Sequence, residues 1–135
     1  MAYFVLAAWI LQGAAGVALL ADWFAGRRDA STVLGHVGIS VGGLAPWVAF
    51  LVTDDVRWGW VALGLITAGN TLGDSLLRKR WRRVTGIGSS FLRDYAGAVR
   101  AVLMFRLPTP VVFHALFAGV VYFAALASCI AASTS

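Results

Sequence analysis

Long apolar runs alternate with short polar interruptions along this chain, and each run has about the length of a membrane crossing. Residues near Tyr3 to Phe24, Val33 to Val52, Trp58 to Leu77 and Pro110 to Ala131 carry almost no charge, and about 20 helical residues cross a hydrocarbon core. Within lipid a single segment satisfies its own backbone polar groups only as a helix. The pattern therefore predicts an all-α chain, residues 1–135 forming one transmembrane domain of four helices. Short connections between helices 1 and 2 and between 2 and 3 make those neighbours antiparallel, which gives an up-down-up-down four-helix bundle.

The connection over 78–109 has its own pattern. RKRWRR is a juxtamembrane basic cluster, GIGSS a flexible break, and FLRDYAGAVRAVLMFRL has helical periodicity with Phe91, Tyr95, Val99, Val102 and Leu103 on one face. An amphipathic helix lying on the inner membrane surface between helices 3 and 4 fits that spacing. Pro108 and Pro110 close this segment and open helix 4, since proline is tolerated in a first helical turn.

Composition supports the membrane reading: 60% of residues are hydrophobic and 13% charged, with a mean hydropathy of +0.81, against roughly 45–50% apolar residues in ordinary soluble domains. There is no Glu, one Lys and ten Arg. Arg27 and Arg28 follow helix 1, and Arg78, Lys79, Arg80, Arg82, Arg83, Arg93, Arg100 and Arg106 fill the 78–109 connection, whereas the turn TDDVR holds two Asp and one Arg. Basic connections stay in the cytoplasm, so both termini are expected outside the cell's inner (plasma) membrane. Trp23 and Trp81 then fall at the inner interface and Trp47, Trp58 and Trp60 toward the outer one. The first helix reads as retained rather than as a signal peptide, because its basic pair follows the apolar run instead of preceding it. The basic run either sets topology alone or also binds anionic lipid or an acidic membrane partner; no nucleic-acid recognition module adjoins it. A lone Cys129 excludes an internal disulfide and reads as a small packing residue.

Small residues indicate helix contacts, since in lipid close backbone approach favours association. They are Gly13 and Gly16 in helix 1, Gly35, Gly38, Gly42 and Gly43 in helix 2, Gly64, Gly69 and Gly73 in helix 3, and Ala115, Ala118 and Gly119 in helix 4.

The candidate chemistry rests on two histidines, His36 in GHVGISVGG and His114 in TPVVFHALFAGVVYFAAL. Each lies about four residues inside its helix, on the order of 6 Å at 1.5 Å per residue. Helices 2 and 4 occupy diagonal corners of a sequential bundle, so inward-facing imidazoles would meet across the core at one depth. Six-coordinate haem iron takes its axial ligands in that way. Helix 3 adds Thr67, Asn70, Thr71 and Asp74 in one stripe, and helix 1 adds Gln12 and Asp22. Ionisable groups inside a bilayer normally face the bundle interior, so Asp22, His36, Asn70, Asp74 and His114 would converge on one site that suits Zn or non-haem Fe. Each residue also has a plainer reading: the histidines as helix-packing hydrogen-bond groups, Asp74 as the i,i+4 partner of Arg78, and Gln12 as an interhelical hydrogen-bonding group.

The run GNTLGDSLLRKRWRR, followed after an insert by RLPTPVVFHALFAG, resembles the second half of small four-helix membrane proteins of actinobacteria. In these a helix ends in a basic run and the next opens on Pro-x-Pro, an apolar stretch and His. The resemblance covers helices 2 to 4 and implies the fold without assigning an activity. In histidine placement the chain is similar to b-type membrane cytochromes, which implies haem b; two histidines allow at most one bis-histidine haem per chain. Three functions follow as expectations: a haem b electron carrier or redox subunit ligated by His36 and His114, a non-catalytic membrane scaffold or accessory subunit, or a metal-dependent membrane enzyme using the histidines with Asp74. A membrane-protein partner or a homo-oligomer accompanies any of them.

Overall fold

In a computed structural model of the chain, residues 1–24, 29–86, 88 and 90–134 are described, the side chains of Ala21 and Asp22 excepted. The described residues are helical with no strand: α1 Ala2–Phe24, α2 Ala30–Gly42, α3 Leu44–Thr53, α4 Val56–Thr85, α5 Phe91–Leu103 and α6 Thr109–Ser133. The segments Ala2–Leu20, Ala30–Thr53 and Thr109–Ser133 are long and apolar enough to cross a membrane. α4 is longer than any of these, but Arg57, Asn70, Asp74 and its basic C-terminal half dilute its apolar character.

The expected second helix divides in two. Pro46 has no N–H to give the carbonyl four residues back, and α2 ends at that residue, Gly42. Gly43 keeps helical dihedrals, φ −65° and ψ −20°, so the chain bends and continues. A Cβ on Gly43 would lie 2.8 Å from the Trp9 ring, so only glycine admits α1 this closely. α4 departs from expectation in the opposite sense: the RKRWRR run continues the helix to Thr85, where Gly86 in the left-handed region (φ 67°) ends it. Arg, Lys and Trp are competent helix formers, and charge alone does not end a helix.

α4 packs against α2, α3, α5 and α6, while α1 packs against α3 and α6. One apolar cluster joins Val5, Ala8 and Trp9 of α1 to Trp47 and Phe50 of α3, Ala62, Leu63 and Ile66 of α4, and Val121, Ala125 and Cys129 of α6. A second, at the α5 end, joins Ala101, Val102 and Leu107 to Val111 and Val112. Trp47 is not an outer-belt residue: it is 0% exposed and its Nε1 donates to the Ala2 carbonyl at 3.1 Å. Trp58 and Trp60 do lie on the surface. Cys129 is buried, with the space over Gly59 filled by its Sγ.

α5 forms where periodicity places it and turns Asp94 and its small residues toward α4. It buries Asp94, Ala98, Ala101 and Val102, leaving Phe91 and Leu103 of the expected apolar face exposed together with Leu92. Close approach to α4 explains the turn: a Cβ on Gly97 would lie 2.6 Å from Trp81 Nε1, so the glycine face is the one that fits. Asp94 is paired with Arg82 Nε at 3.2 Å. On the other flank of α4, Lys79 Nζ and Arg83 Nη1 reach the two carboxylate oxygens of Asp29 at 2.9 and 2.8 Å. Lys79 also donates to Thr32 Oγ1. Three ion pairs and a glycine contact thus tie the basic end of α4 to α5 and to the start of α2.

Candidate functional site: the histidine pair

His36 and His114 lie between the two apolar clusters and face each other, ring centroids 6.1 Å apart and planes at 75°. His36 is anchored on α4: its Nδ1 is 2.8 Å from the Gly69 carbonyl oxygen. A carbonyl only accepts, so Nδ1 carries a proton. Glycines make this approach possible, since a Cβ on Gly73 would stand 3.1 Å from His36 Cε1. His114 leans on α1 in the same manner, with a Cβ on Gly16 3.2 Å from its Cε1. The His114 backbone carbonyl accepts from Gln12 Nε2 at 2.8 Å, the interhelical role expected of Gln12. His114 Nδ1 is buried without a hydrogen-bond partner.

The ring separation discriminates between kinds of contact. A direct N–H···N hydrogen bond of about 2.9 Å, with ring centroids about 1.1 Å behind each nitrogen, would bring the centroids to about 5.1 Å. One metal ion bound at about 2 Å from each side would hold them about 6.2 Å apart. The observed 6.1 Å is longer than the first, close to the second, and within the roughly 4.5–7 Å of ordinary edge-to-face ring pairs. The Nδ1–H to carbonyl bond of His36 is also what metal-ligating histidines use to fix their tautomer and orientation.

Among the described residues Asp74 does not join the histidine pair. Thr67, Thr71 and Asp74 are exposed, on the outward side of α4 rather than the His36 side. The hydroxyls of Thr67, Thr71 and Ser75 each donate to the carbonyl four residues back, so the stripe satisfies itself within its own helix. Asp74 accepts a hydrogen bond from Tyr95 of α5 at 3.1 Å and makes no ion pair with Arg78, whose guanidinium lies 4.3 Å from the Phe91 centroid. Burial, and secondarily the Asp74 charge, push the Tyr95 phenol up from its usual range. Asn70 is half-buried. The Asp22 side chain lies outside the described residues. Among the described residues no three His, Cys or Asp side chains are grouped closely enough to share an ion.

Two features had no signal in the amino-acid sequence. The Asp94–Arg82 pair joins residues from different helices, and Asp94 sits in a stretch that reads as a solvated polar face. Gly16 and Gly73 reveal themselves as ring-clearance positions only once their neighbours are known. Comparison of the chain with protein-family models, curated proteins and solved structures finds no match.

Proposed function

We propose that this chain is an integral membrane protein crossing four times, through α1, α2 with α3, α4, and α6. In this reading both termini lie outside, and the α4–α5 connection is in the cytoplasm. It holds one haem b between His36 and His114 and serves as a one-electron carrier or redox subunit. The observation that carries the reading is the 6.1 Å separation of two imidazoles facing across the core. Supporting it are the Gly69 carbonyl that fixes the His36 tautomer and the orphaned nitrogen of His114. The donor set fits as well: two neutral imidazoles without a carboxylate beside them bring no net charge into a medium where charge is costly.

Held by His36 and His114, a haem would supply one-electron exchange. The residues around it orient and space. Gly69 holds His36, Gly73 and Gly16 keep the rings clear of the backbone, and Gln12 ties α1 to α6 at the His114 carbonyl. α1 packs on α3 and α6, and nothing stands over Gly13 or Gly38 within 4 Å of a Cβ.

A scaffold or accessory role is the second reading, favoured by the outward stripe of Thr67, Thr71 and Asp74 on α4, a face suited to another membrane helix or a second copy. The oxidised and dithionite-reduced visible spectra of protein purified from haem-replete cells separate the two. A reduced-minus-oxidised b-type difference supports the carrier. A colourless preparation excludes it and leaves the accessory role.

A further inference from the structure

Asp74 and Arg78 stand one turn apart on α4, a spacing at which opposite charges ordinarily pair. They do not pair here, because α5 engages each separately. Tyr95 donates to Asp74 Oδ2, and Phe91 lies under the Arg78 guanidinium. Both charges border a cavity of about 270 Å³ lined by Thr71, Asp74, Ser75, Arg78, Phe91 and Tyr95. Arg78 Nε is buried there without an acceptor, and buried donors in native proteins are nearly always satisfied. The Thr71 and Ser75 hydroxyls spend their protons on the Thr67 and Thr71 carbonyls, so their oxygens remain acceptors.

A simple anion in this cavity would meet the Asp74 carboxylate, and a simple cation the Arg78 guanidinium. A molecule carrying both charges in fixed separation meets neither penalty. We propose that the cavity between α4 and α5 binds a zwitterionic phosphate–ammonium headgroup, with phosphate at Arg78 and a primary ammonium at Asp74, Ser75 and Thr71. The cavity sits where α4 passes from its apolar portion into the basic run, and Phe91 and Leu92 beside it are exposed, a surface along which acyl chains can lie. The ligand is therefore an aminophospholipid or its free headgroup. This site is independent of the histidine pair.

The full chain in detergent, titrated with dioleoylphosphatidylethanolamine, dioleoylphosphatidylglycerol or free phosphoethanolamine and read by native mass spectrometry, tests the proposal. Wild type should prefer the ethanolamine lipid by about tenfold, the factor that about 1.4 kcal/mol of selective ammonium contact supplies. Asp74→Asn should bring the two lipids within about twofold, Arg78→Gln should weaken both, and Arg78→Lys should recover part of the loss, which controls for misfolding. Competition by free phosphoethanolamine would identify a headgroup-only site, and its failure to compete would identify the bilayer lipid as the ligand. Equal binding of both lipids by the wild type, or a preference unchanged in Asp74→Asn, would overturn the assignment.

Discussion

Asp94, 3% exposed, is held by Arg82 Nε at 3.2 Å, which ties the inward face of α5 to the basic end of α4. Periodicity places Phe91, Tyr95 and Leu103 on the face expected toward the membrane surface, while the ion pair and the Gly97–Trp81 contact turn Asp94 and Ala98 toward α4. Removing the carboxylate leaves a half-exposed arginine rather than a fully buried charge, so the cost is smaller than for a dry pair. Asp94→Ala is expected to destabilise α5 docking by about 1–3 kcal/mol. Faster amide exchange through α5, with α6 unchanged, is the readout. Unaltered exchange in α5 would mean the pair does not hold it.

The glycines against the histidine rings make a paired comparison. Gly16→Ala and Gly73→Ala place a methyl 3.2 and 3.1 Å from His114 and His36, where overpacking costs about 1–3 kcal/mol. Gly13→Ala and Gly38→Ala meet nothing within 4 Å and should be neutral or slightly stabilising through helix propensity. Thermal unfolding in detergent checks all four. Equal effects across the set would contradict the close approach.

Asp29 supplies a pH dependence. Hydrogen bonds from Arg83 and then Lys79 lower its pKa below the ordinary 3.8. A depressed carboxylate contributes stability that is complete above the unfolded value and is lost as pH falls through the lower folded value. The melting-temperature advantage of wild type over Asp29→Asn should therefore be level from pH 7 to about 5 and shrink at pH values below 4. An advantage that grows on acidification would contradict the arrangement.

Topology is open to labelling. In a Cys129→Ala background, an impermeant maleimide applied to intact cells should modify Thr53→Cys, in the outer turn, and spare Val84→Cys, at the basic end of α4. Both native side chains are exposed, so access is decided by the membrane. Modification of Val84→Cys from outside would reverse the orientation.

The apolar runs made the long helices legible in the sequence, and the equal depth of His36 and His114 anticipated their meeting. Both follow from spacing along one helix axis. What spacing does not encode is rotation about that axis when two faces have similar character. The α4 stripe of Thr67, Thr71 and Asp74 was expected to face inward because polar groups in lipid seek partners; backbone carbonyls of the same helix and Tyr95 satisfy it on the outside. Trp47 looked interfacial because tryptophan often is, yet the Ala2 carbonyl gives its N–H a buried partner. The basic run continues α4 to Thr85, because its charges signal depth and not backbone conformation.

If His36 and His114 hold one iron between them, the pair has a symmetry that helix-packing residues lack. Removing either member of a bis-histidine site leaves the same five-coordinate deficit, whereas packing residues contribute locally and unequally. The most direct measurement is the low-spin haem spectrum of purified His36→Ala and His114→Ala beside wild type and Asp74→Asn, with helicity confirmed by circular dichroism. Both histidine variants should lose the six-coordinate spectrum to a similar degree while Asp74→Asn retains it. Full haem occupancy with unchanged coordination in either histidine variant, or a wild-type protein that carries no haem, would contradict it.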